Sequence, residues 1–276
     1  MEEIARNRTR KVEPLVPSWR FDSDGMHGYV VGGREHGVHI TSTPDGVPAT
    51  KPMCLNLEHY CARSCSEGRF VPGKVAPMRT EQVGNSVCLD IEPHGDWALR
   101  TTIQYQIRRD RIVEVFLAFA FHQAFKGFEA SVSNYFLAPT EPFVAAGGGW
   151  RNRPLGENVH RFWARGRAQA ANIAAVYPKE AEPDCGIEWQ IDDEYFDFPI
   201  MITPITGSKY SVIIIADPLQ CSSLSANRKW NAHDFSLVGR NVSRGETIAC
   251  RAWIACRVLD SPDDAFRLYD ELVKPL

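Results

Sequence analysis

The stretch Leu99-Arg100-Thr101-Thr102-Ile103-Gln104-Tyr105-Gln106-Ile107-Arg108 alternates without a break. Leu99, Thr101, Ile103, Tyr105 and Ile107 share one face, and Arg100, Thr102, Gln104, Gln106 and Arg108 share the other. That period of two is the signature of a β-strand with one wet face. A polar turn at Arg109 and Asp110 follows, and then Ile112 to Phe121 is apolar at every position except Glu114. This predicts the second arm of a hairpin, a strand covered on both faces.

The same pattern recurs towards the end of the chain. Ile248, Cys250, Ala252, Ile254, Cys256 and Val258 alternate with Thr247, Ala249, Arg251, Trp253, Ala255 and Arg257, predicting another long strand with its cysteines on the core side. Shorter strands are expected at Tyr29–Val31, Gly37–Thr41, Ser86–Ile91, Phe128–Phe136, Gly186–Ile191, Pro199–Ile205 and Tyr210–Ala216, with turn residues between most of them. So many strands without intervening helices exclude a doubly wound α/β fold. They predict an all-β or β-dominated α+β chain, a large antiparallel β-sandwich with few short helices.

One helix is expected at the C-terminus. Ser261 can cap it, Pro262 suits its first position, Asp263 and Asp264 favour its positive end, and Phe266, Leu268, Tyr269, Leu272 and Val273 give it an apolar face. A second is expected from about Phe162 to Val176. Residues 1–13 read as a loose arm and residues 14–276 as a single sandwich domain. The irregular segment from Pro44 to Pro77 carries Cys54, Leu55, Leu57, Tyr60 and Phe70, which makes it a packed excursion and not a linker.

Thirty-one basic and 34 acidic residues leave a net charge of -3 without single-sign blocks, which excludes a nucleic-acid footprint. No apolar run approaches the roughly 20 residues of a membrane-spanning helix, and the first residues lack the apolar core of a secretory signal. The expectation is a cytoplasmic protein whose eight cysteines are reduced and buried. Cys54, His59, Cys61 and Cys65 have ligand chemistry for zinc, but their spacing fits no zinc knuckle, and a short helix with buried thiols is expected instead. The Gly32-Gly33 and Gly147-Gly148-Gly149 clusters fit no phosphate-loop pattern and read as turns. No metal or cofactor is expected.

From Lys126 to Trp163 polar groups and aromatics mix more densely than a core strand requires. Flat aromatics cover the apolar face of a sugar ring, while carboxylate, amide and guanidinium groups bond directionally to its hydroxyls. Trp150 and Trp163 could equally anchor a loop to the core. On the first reading His160 and Glu129 are the acid/base pair, because imidazole titrates near neutrality and a partly buried carboxyl can be raised towards it. Arg161 and Trp163 are then substrate contacts, and Glu188 beside Trp189 is a second carboxylate and aromatic pair.

The segments DWALRTTIQYQI (96–107), RIVEVFLAFAF (111–121), FEASVSNYF (128–136) and FSLVGRNVSRGETIACRAWIACRV (235–258) resemble, in their succession, the galactose mutarotase-like β-supersandwich superfamily. SVSNYF is similar to the NHSYFNL segment of aldose epimerases, whose histidine pair and late glutamate have no counterpart in matching context here. The resemblance implies a large antiparallel sandwich and, for Asn134, contact with a sugar hydroxyl. Two functions follow as expectations. One is a sugar epimerase or related enzyme working by general acid/base chemistry on a small sugar or oligosaccharide; the other is a non-catalytic carbohydrate-binding or scaffold domain.

Overall fold

The computed structural model describes residues 17–62, 64–65, 69–138, 140–152, 159–164, 189–227 and 230–273. A three-stranded antiparallel sheet comes first: β1 (Ser18–Ser23), β2 (Met26–Val31) and β3 (Gly37–Ser42). The remaining strands are β4 (Asn56–Cys61), β5 (Arg69–Phe70), β6 (Met78–Val83), β7 (Ser86–Ile91), β8 (Leu99–Arg108), β9 (Ile112–Phe121), β10 (Phe125–Ser133), β11 (Phe143–Ala146), β12 (Gly149–Asn152), β13 (Val159–Ala164), β14 (Trp189–Pro204), β15 (Ser211–Ala216), β16 (Cys221–Asn227), β17 (Ala232–Val242) and β18 (Thr247–Arg257). They form one continuous sheet in the order β5-β4-β10-β17-β16-β13-β14-β15-β18-β9-β8-β7-β6, with β11 and β12 attached beside β14. A 3₁₀ turn at Gly33–Glu35, a one-turn helix, α1 (Pro72–Val75), and a C-terminal helix, α2 (Asp264–Val273), complete the described elements.

The sheet doubles back so that its two halves face one another across the main core. Tyr60 of β4 meets Phe119 of β9 edge-on at 6.4 Å, and Phe128 of β10 meets Phe121 of β9 at 4.9 Å. The polar tips of buried tyrosines find partners in the opposite layer: Tyr60 Oη lies 2.7 Å from Thr101 Oγ1, and Tyr105 Oη donates to the Leu55 carbonyl at 2.7 Å. Buried hydroxyls that close such bonds fix how the layers register, because leaving either unmade strands a polar group in the core.

The β8–β9 hairpin and β7 run as their alternation predicts. The second face of β9 does not. Glu114, Phe116, Ala118 and Ala120 are half-exposed, so β9 is covered fully on one side only. The reverse holds for β18, whose expected wet face is buried over its second half. Ile202, Ile213 and Ala255 make one cross-strand row and Ile200, Ile215 and Trp253 the next, and Ala265 and Leu268 of α2 pack onto both. The helix starts two residues later than Pro262. The Asp264 carboxylate accepts the backbone N–H groups of Asp260 and Ser261 at 2.8 and 3.1 Å, an acidic cap where the helix dipole favours one. Trp150 docks on this helix, donating to Asp263 Oδ1 at 2.8 Å and packing on Phe266 at 4.9 Å.

Three further expectations are corrected. Trp189–Pro204 is a single strand where two were expected, and Pro199 falls at the register shift where it owes no ladder bond. The expected second helix begins as strand β13, which pairs in parallel with β14, an exception to the antiparallel rule of the sheet; the rest of that helix lies outside the described residues, as does the 1–13 arm. Cys61 closes strand β4 and, among the described residues, no helix joins it to Cys65, while Cys54 Sγ points to the Tyr135 carbonyl and Cys65 Sγ to that of Asp96; the four candidate zinc ligands form no metal-binding cluster among the described residues.

The seven described cysteines are free thiols. Burial pushes Cys54 and Cys256 up to about 12 and Cys65 up to about 11, far from the thiolate that forms disulfides or binds metal. Mass measurement after alkylating the unfolded, unreduced chain should add eight labels. Two or more protected pairs would refute this.

Candidate functional site

Strands β4, β10, β17 and β16 turn apolar residues into the main core, yet their opposite face is also buried and is polar. On β10, Phe128, Ala130 and Val132 belong to the core, while Glu129, Ser131 and Ser133 alternate with them and are at most 5% exposed. A cross-strand row runs His59, Ser131, Ser236, Ser223 from β4 to β16, and Cys61 stands opposite Glu129 in the next row. A sheet face lined with serines, an imidazole, a thiol and carboxylates loses hydration for little hydrophobic return. Such a layer is expected where a fold is built to hold something polar.

Glu129 is fully buried at the centre of this face. His59 sits diagonally across from it, one row along, which places the two positions roughly 7–8 Å apart. The Ser223 hydroxyl is buried and makes no hydrogen bond to another described residue. At one end of the face Ser133 Oγ donates to Glu58 Oε2, and Asp234 Oδ1 accepts the Asn134 N–H at 3.1 Å. Burial first, then the neighbouring Glu58 and Asp234 carboxylates, push the Tyr135 phenol upward, so Tyr135 stays a protonated donor against Glu58.

The sequence-predicted residues fall as follows. Glu129 is central. Asn134 is fully buried and spends its amide on the backbone: Oδ1 accepts from Leu55 N–H at 2.9 Å and Nδ2 donates to the His233 carbonyl at 2.8 Å. Positions 161 and 163 pair with Ser225 and Ser223, which bear on the polar face, whereas position 160 pairs with Ala226 and through it with His233. Strand β13 lies three spacings from β10, about 14 Å, so His160 and Glu129 are not brought together. Trp189 opens β14 opposite Val159, and Glu188 lies outside the described residues. The residue that sequence reasoning missed is His59, weighed there only as a metal ligand.

No family model matches the sequence, and neither does any curated protein. Solved structures do match in shape. A putative aldose 1-epimerase from Escherichia coli superimposes with a TM-score of 0.52 at 9% identity, over 88% of this chain and 100% of that one. A quadruple mutant of an α-N-acetylgalactosaminidase from Bifidobacterium bifidum gives 0.54 at 11% identity, over 92% of this chain and 39% of that one. A TPR-domain containing protein from Parabacteroides distasonis gives 0.52 at 9% identity, over 89% of this chain and 48% of that one. Identities this low speak to architecture alone: the fold of this chain, a large and mostly antiparallel β-sandwich, is similar to that of these structures.

Proposed function

We propose that the buried polar face of β4, β10, β17 and β16 binds a small sugar and that Glu129 and His59 act on it as a general acid/base pair, in the manner of an epimerase. The observation that carries this reading is the placement of a fully buried carboxyl and a buried imidazole as diagonal neighbours on a serine-lined face. A carboxyl and an imidazole are both groups that can give and take a proton. The serine hydroxyls both donate and accept, matching the hydroxyls of a sugar. Trp163, whose position pairs with Ser223 in the same row, is the proposed stacking platform, and Arg161 a flanking contact.

The test is acceleration of aldose anomer interconversion, followed by polarimetry with D-galactose and N-acetyl-D-galactosamine, together with thermal shifts by the same sugars. Glu129→Gln and His59→Gln should each lower turnover by about 10²–10⁴-fold, the usual contribution of a positioned proton-transfer group, and leave sugar binding and melting temperature nearly unchanged. Binding without turnover in the wild type would assign the non-catalytic function. No binding and no turnover with any aldose would overturn the carbohydrate reading altogether.

A further inference from the structure

The ladder between β10 and β17 shifts register twice, between Phe125 and Phe128 and again between Phe128 and Ala130, and the second shift faces Glu129. Phe128 pairs with Arg240 and Ala130 with Leu237, so that Glu129 alone stands against the two residues Val238 and Gly239. This is a β-bulge, and both of its residues are left-handed, with φ of +73° at Val238 and +59° at Gly239. For glycine that conformation is free. For a β-branched residue inside a strand it is a genuine strain, and one that persists only where the surrounding structure enforces it.

Strand alternation shows what the strain achieves. Phe235 and Leu237 face the core and Asp234 and Ser236 belong to the other set, so an unbroken ladder would put the Val238 isopropyl group on the polar face, against Glu129. Instead Val238 is buried within the main core alongside Leu237, and Val242 resumes the core side further on. The extra residue leaves Gly239, which has no side chain, as what β17 offers to the polar face in the Glu129 row.

We propose that the Val238–Gly239 bulge is a positioning device for Glu129: it turns Val238 into the core and keeps β17 from placing a side chain against the Glu129 carboxyl. That Glu129 acts on a sugar rests on the function proposed above; that the bulge sets the surroundings of Glu129 does not.

The test compares two variants by the titration of Glu129, followed by ¹³C-carboxyl NMR, and by affinity for D-galactose and N-acetyl-D-galactosamine. Val238→Gly frees the left-handed backbone and puts nothing on the polar face, so the Glu129 titration should stay as in wild type and affinity within about threefold. Gly239→Val opposes the left-handed backbone and sets a side chain on the polar face in the Glu129 row, so the Glu129 titration should move by a unit or more and affinity fall at least tenfold. A merely structural bulge predicts lower melting temperatures with neither readout changed, and that result would overturn the proposal. If wild type binds no sugar while the titration of Glu129 still moves in Gly239→Val only, the positioning stands and the carbohydrate reading falls. If Gly239→Val does not fold, the wild-type protein decides: methyl NOEs from Val238 should reach core aromatics such as Phe128 and Phe235, and NOEs to the Glu129 side chain would refute the inference.

Discussion

Replacing Ile254 by Asp should unfold the protein near ambient temperature, whereas Thr247→Asp on the same strand should melt within a few degrees of wild type. Ile254 is fully buried between Ile214 of β15 and Val113 of β9, at the centre of the main core. A carboxylate there has no partner and no water, and the lost packing adds to the desolvation. Together these cost about 5 kcal/mol or more, comparable with the whole stability of an ordinary domain. Thr247 is exposed where β18 begins, and surface changes of this kind stay within about 0.5 kcal/mol. Circular dichroism melts of the two variants measure the difference; equal midpoints would show that the strand register is wrong.

A second large effect is expected on acidification. His36 and His233 are fully buried, and burial holds both imidazoles well below the ordinary histidine range, at about 4. Hydrogen bonds engage both ring nitrogens of each. His36 Nδ1 faces the Gly33 carbonyl at 3.3 Å while Nε2 accepts the Leu57 N–H at 3.2 Å. In His233, Nε2 faces the Thr140 carbonyl at 3.0 Å and Nδ1 lies 2.6 Å from the Thr203 hydroxyl. A second proton on His36 would set one donor against another.

The folded values lie below the unfolded ones, so stability is fully present above the unfolded value of 6.5 and is lost as pH falls towards 4. Across that window the unfolded chain binds two protons that the native state refuses. The loss is on the order of 3 kcal/mol for each histidine at the lower limit. The midpoint of urea unfolding should therefore fall steadily between pH 6.5 and 5, before most carboxylates titrate. His233→Asn should be less stable than wild type at pH 7 but show a shallower slope. A flat midpoint from pH 7 to 5 would mean that neither imidazole is held neutral.

What the sequence could reveal, and what it could not, divides along a physical line. The β8–β9 hairpin, β7 and β18 were legible because each has a face that contrasts with the other, so the period of two survives in the order of side chains. Strand β4 was not. Leu57 and Tyr60 both face the core three residues apart, because a register shift opposite Ser131 interrupts the alternation. That hid the strand, and with it the role of His59. Strands β16 and β17 were obscured differently: their second face is buried but built of Ser222, Ser223, Ser225, Asp234 and Ser236, a composition that reads as turn.

Glu129 could be singled out from its chemistry, but its neighbours could not, since the order of strands across a sheet is set by long-range pairing and not by local periodicity. Composition and alternation alone thus determined a β-rich chain, the β8–β9 hairpin and β18, its core-facing cysteines and its terminal helix, because these follow from which side chains avoid water along one segment. Tertiary structure alone decided that α2 dries the second face of β18, that Asn134 is consumed by the backbone, and that His59 rather than His160 stands beside Glu129. Those outcomes depend on which distant segments meet, and the free energy that selects the meeting is spread over the whole packed sheet.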